Sequence, residues 1–141
     1  MKMIKDGGWI WFLSGKEDIL KDDKCGKWMY FFKDQEFAQQ ICQKAIDENI
    51  CYECKCTDME TRIESEGVIC FYLNSDDIEN HKRVIQFMKD NGLIQKTKSG
   101  KLYNISFKFD SQTRVGNYGA DFERKIKLDQ FLNLYTGEFI I

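Results

Sequence analysis

The densest set of ligand-competent side chains lies between residues 104 and 118, where Asn104, Lys108, Asp110, Gln112, Thr113, Arg114 and Tyr118 fall close together. A guanidinium grips a carboxylate or phosphate through two parallel hydrogen bonds, and a lysine ammonium adds a point charge. Gln112 and Thr113 add amide and hydroxyl groups, and Tyr118 adds an aromatic wall with a polar tip. Gly116 and Gly119 let the backbone approach a ligand closely. Such a set suits an anion, above all a nucleotide or another phosphorylated small molecule. The competing reading is a solvated strand face on which Lys108 and Asp110 are cross-strand partners.

Trp9, Trp11 and Trp28 are the only tryptophans. They are candidate apolar walls for the same ligand, since an indole stacked on a base contributes ~1–3 kcal/mol. They read equally as core, and alternation is expected to set one of Trp9 and Trp11 opposite Ile10. Lys27, Lys55 and Arg124 line the same open face or are simply solvated.

Catalytic chemistry finds little support. His81 is the only histidine, falls mid-helix one turn after Asp77, and reads as a surface residue paired with an acid. A Cys–His pair requires it beside Cys70 or Cys54. There is no Ser-His-Asp order, phosphate loop or dinucleotide fingerprint. No catalytic residue is assigned, although an enzyme using Lys108 or His81 on a phosphorylated substrate is an alternative.

Cys51, Cys54 and Cys56 form a Cys-x-x-Cys-x-Cys cluster among six cysteines. Zinc needs a fourth ligand, from Cys25, Cys42, Cys70 or His81. The segment reads as a strand, with Cys54 and Cys56 on one face and Cys51 on the other. The expectation is buried thiols, with no metal and no cofactor. No export signal is visible, so a reducing cytoplasmic setting without disulfides is expected.

The net charge of -2 and pI near 5.5 argue against a general nucleic-acid coat or a polybasic membrane patch. No run reaches the ~18 apolar residues of a membrane span. The 141 residues, 43% apolar and 14% aromatic, suit one domain over 1–141.

Several elements must position these groups. Strands are expected at Trp9–Leu13, Lys27–Phe32, Cys51–Thr57, Val68–Leu73 and Lys101–Asp110. The last would set Tyr103, Ile105, Phe107 and Phe109 on one face and Asn104, Ser106, Lys108 and Asp110 on the other. A helix after Asp34 carries Phe37, Ala38, Ile41, Cys42, Ala45 and Ile46. A second, capped by Ser75, carries Ile78, Val84, Ile85 and Met88 and ends at Gly92. An alternating stretch through Phe122, Arg124, Ile126 and Leu128 and a short helix through Leu134 follow. This order predicts an α+β fold: a curved, mostly antiparallel sheet with two or three helices on one face and the other face open.

Four segments carry a resemblance: Gly26-Lys27-Trp28-Met29, Val68-Ile69-Cys70-Phe71-Tyr72, the helix beginning near Asp76-Asp77, and residues 108 to 118. Together with the early Trp9 and Trp11, they are similar to the basophilic-leukaemia-expressed proteins, a family with the fold of the cap-binding translation initiation factor. The resemblance implies that fold. It also implies a nucleotide gripped between aromatic rings with its phosphates on basic side chains. A different class of function is a microbial or phage accessory protein that inhibits a host protein by direct binding.

Overall fold

The computed structural model describes residues 1–110 and 125–141. It opens on a hairpin of β1 (Lys2–Asp6) and β2 (Trp9–Leu13), in which Asp6 faces Trp9 across the ladder. The turn is Gly7-Gly8, with φ of +61° and +84°. Two positive φ values in a two-residue loop match the twist of the flanking strands, and glycine adopts them without steric cost. β1 was not expected from the sequence. Only Ile4 of its five residues is half-buried, so it has no apolar face for a pattern to reveal.

The other strands are β3 (Cys25–Phe32), β4 (Glu53–Thr57), β5 (Gly67–Asn74), β6 (Ser106–Phe109) and β7 (Ile126–Lys127). They form a seven-stranded sheet in the order β1-β2-β4-β5-β3-β6-β7, with every pairing antiparallel. Helices α1 (Gln35–Asp47) and α2 (Ile78–Asp90) cover one face. The core lies between them and the sheet, where Ile41, Ala45, Val84, Ile85 and Met88 meet Ile10, Phe12, Trp28, Ile69 and Phe71. The fold is thus α+β with an antiparallel sheet and the two described α-helices on one side. Among the described residues, no helix is long and apolar enough to cross a membrane.

Helix α1 follows its expected stripe, and Asp34 caps it by accepting from the Phe37 N–H at 3.2 Å. Helix α2 differs in detail. Its cap is Asp77, accepting from the Asn80 N–H at 3.1 Å, not Ser75. Its buried stripe includes Asn80, His81 and Phe87, while Ile78 is exposed. His81 therefore faces the core and not the solvent.

The strand expected over Lys101–Asp110 is shorter. Only Ser106–Phe109 joins the sheet. Upstream, the Ile105 carbonyl accepts from the Leu128 N–H at 2.9 Å and Asn104 Oδ1 accepts from the Asp129 N–H at 2.9 Å. These bonds draw the chain toward a 3-10 turn at Leu128–Gln130 and away from β3. Phe107 and Phe109 keep their core places, but Tyr103 is exposed.

The cysteines are free and buried. Cys54 and Cys56 share the helix-covered face as expected, but Cys51 is buried in the same core. It precedes the first residue of β4, so strand alternation does not govern it. The Cys54 thiol donates to Cys42 Sγ of α1 at 3.2 Å. Among the described residues, no group of three or more His, Cys, Asp or Glu is placed to hold a metal ion.

Candidate functional site

The face opposite the helices is built by strand register. One row across it runs Leu13, Glu53, Tyr72, Lys27, Lys108. The neighbouring row runs Ile4, Trp11, Lys55, Cys70, Met29. Antiparallel pairing sets directly opposite side chains on one face, so each row is a line of neighbours. Trp9 joins from the next position of β2. Trp9 and Trp11 are two residues apart, so both lie opposite Ile10 and Phe12, and not one of them as expected.

Lys55 is the centre of this face. Its Nζ sits 3.9 Å from the Trp9 ring centre, 4.5 Å from Trp11 and 5.6 Å from Tyr72. Arg62 reaches the same Trp9 ring, with its guanidinium carbon 5.1 Å from the centre. Indole and phenol faces attract cations through their quadrupoles. Lys55 is half-buried, and burial lowers its pKa. Among the described residues, no carboxylate lies within ion-pair distance of it.

Lys27 is handled differently. It is only 8% exposed, and its Nζ donates to Asp110 Oδ1 at 2.7 Å. It also lies 5.6 Å from the Tyr72 ring centre. Asp110 therefore pairs with Lys27, while Lys108 stands exposed opposite Lys27 in the ladder. Burial also raises the Glu53 carboxyl, with the Glu17 charge adding to it. The Tyr72 phenol is raised by burial, and burial pushes the Cys70 thiol up to about 11. Cys70 and Tyr72 thus stay neutral and form an uncharged floor beneath two ammonium groups.

The sequence-derived site residues divide into three groups. Trp9, Trp11, Lys108 and Asp110 come together on the open face, with Lys27 and Lys55. Trp28 and Asn104 do not join them. Trp28 is fully buried on the helix side, where Nε1 donates to His81 Nδ1 at 3.0 Å. It alternates with Lys27 and Met29, so it must face the other way. Asn104 precedes β6 and accepts from Asp129 instead. Gln112, Thr113, Arg114 and Tyr118, together with Arg124, lie outside the described residues.

Glu53 and Tyr72 were missed as site residues, and Lys55 was set no higher than a flanking charge. A signal existed: Glu53 and Lys55 alternate with Cys54 and Cys56, which places two charged groups on the face that the thiols leave. No protein-family model matches this chain, and no curated protein matches its sequence.

Proposed function

We propose that this protein is a binding module for an anionic small molecule carrying a flat ring, a nucleotide being the best fit, held on the open face of the sheet. One observation carries the reading: the half-buried Lys55 ammonium, walled by Trp9, Trp11 and Tyr72, has no carboxylate partner among the described residues. A cation withdrawn from water is normally paired, and an incoming phosphate or carboxylate supplies the missing charge. The indoles then offer stacking surface to a base. Lys108 extends the positive charge along the neighbouring row, while Lys27 is already neutralised by Asp110. The antiparallel sheet with helices on one side supports a finer proposal, that the fold is of the cap-binding initiation factor type.

The direct test is mass spectrometry of small molecules released from the denatured, purified protein, followed by calorimetry with each one found. A nucleotide or other phosphorylated compound at near one per chain is expected. If neither that nor a panel of nucleotides and cyclic nucleotides binds, the proposal fails.

A further inference from the structure

We propose that the outer edge of β3 between Met29 and Phe32 is a docking site for an extended peptide segment of a partner protein, which adds there as a short strand. This site adjoins the row that carries Lys55, through Met29, but it rests on backbone groups of β3 and not on the ligand proposed there.

The edge is open for a specific reason. β3 pairs with β5 along its whole length, from Cys25 to Phe32, but with β6 only at Gly26 and Lys27. The chain that would have continued the second ladder is held elsewhere, by the Leu128 and Asp129 N–H groups and by a bond from the Ile105 N–H to the Tyr103 carbonyl. Among the described residues, no other backbone hydrogen bond reaches Tyr30, Phe31 or Phe32 on that side. A cleft of about 410 Å³ takes the place of a strand. Met29, Tyr30 and Phe31 line one side, and Leu93, Tyr103 and Ile105 the other. Phe31 is 55% exposed and Tyr103 47%, so two aromatic rings stand at the rim.

Three features commit the site to a single extended segment. First, a row of unpaired peptide groups is matched by another backbone, whereas an apolar molecule would leave those groups unpaired. Second, natural sheets protect open edges with lysine, proline or a bulge. Met-Tyr-Phe-Phe carries no such guard, and the first charge is Lys33. Third, the 93–105 segment walls the cleft. A single strand fits beside such a wall, while the sheet edge of a second folded copy does not. Four edge residues at ~3.3 Å each span ~13 Å, which suits a peptide of four to six residues. Met29 and Phe31 point to the open face and Tyr30 to the other. Alternating apolar side chains on the peptide would meet each in turn.

The test uses the whole chain and a synthetic capped hexapeptide alternating valine and threonine, with two versions N-methylated at alternate amides. Saturable binding is expected, with at least tenfold slower exchange at those amides of Met29–Phe32 that face away from β5. One N-methylated version should bind at least tenfold more weakly, because it keeps the side chains but loses the ladder. Phe31→Asp should weaken binding tenfold with an unchanged circular dichroism spectrum. Absence of saturable binding at millimolar peptide overturns the proposal. Equal binding by both methylated versions also does, since the cleft is then a pocket for small apolar molecules. Slow exchange at the same amides in a concentration-dependent dimer without peptide overturns it too, in favour of a second copy.

Discussion

The Trp28 indole donates to His81 Nδ1 at 3.0 Å, while His81 Nε2 lies 2.8 Å from the Ser75 carbonyl oxygen. An indole N–H only donates and a carbonyl only accepts. The one protonation state that satisfies both is the neutral ring carrying its hydrogen on Nε2. The ring is fully buried, with the Phe107 and Phe131 centroids each 4.8 Å away. His81 is therefore a core residue that ties α2 to β3, and not an acid–base group.

That tie makes stability fall in mild acid. Burial lowers the His81 pKa below its usual value. The unfolded chain, with an ordinary histidine near ~6.5, takes up the proton first. Stability is complete above that pH and declines as pH drops through it toward the lower folded-state value. Urea midpoints measured from pH 7.5 to 5 should fall accordingly. His81→Leu should cost ~1–3 kcal/mol at pH 7.5, because it strands the Trp28 donor, and should flatten the decline. A variant that keeps the full slope rules His81 out as its source.

Gly26 is required by close approach and not by backbone angle. A Cβ there would run into the Phe107 ring and lie 2.7 Å from the Lys108 carbonyl oxygen. Gly26→Ala should loosen the β3–β6 pairing, which rests on Gly26 and Lys27 alone. Phe107→Ala, at a ring packed on Trp28 and His81, should cost ~3–5 kcal/mol. Denaturant midpoints check both, and a Phe107→Ala loss under ~1 kcal/mol would contradict this packing.

Much of this was legible in the residues. Short apolar runs at Trp9–Leu13 and Val68–Leu73 marked central strands, and the three-and-four spacing from Phe37 to Ile46 marked α1, because burial on one face imposes a period. The same logic failed where burial is weak or tertiary bonds compete. β1 is nearly all exposed. Tyr103 and Ile105 alternate like a strand, yet the hydrogen bonds of Asn104 and Ile105 to the Leu128–Gln130 turn win. Trp28 looked like a ligand wall by residue type, but its parity with Phe32 and not with Lys27 decides its face. Lys55 was visible only as one charge among many, since its lack of an ion pair among the described residues depends on which strands become neighbours.

The thiols offer a check on the core. All six cysteines are buried, and thiol reagents need an exposed thiolate. The native protein should react with Ellman's reagent far more slowly than the denatured chain, which should release six equivalents. Fast native reaction at Cys42 or Cys54 would mean that α1 does not lie on β4 as described.

The decisive variant for the open face is Lys55→Met. If Lys55 awaits an anion, its charge is a cost in the free protein, since it is half-buried and makes no ion pair among the described residues. Its attraction to the Trp9 and Trp11 faces offsets that cost by only ~0.5–2 kcal/mol. Methionine keeps most of the length and an apolar, polarisable tip to pack beside the rings while removing the charge. The urea midpoint should therefore hold or rise. Affinity for the anionic ligand proposed above should fall tenfold or more, about 1.4 kcal/mol. Lys108→Ala, on an exposed side chain, should weaken binding in the same direction without moving the midpoint, and its loss should shrink as salt screens the charge. Lys55→Arg should retain most of the affinity because the charge survives. Tryptophan fluorescence should change on binding in the wild-type protein, as Trp9 and Trp11 are half-buried at the site while Trp28 is fully enclosed. A Lys55→Met protein that melts early yet binds as well as the parent would mean the opposite: the lysine is there to stack on the indoles, and the ligand lies elsewhere.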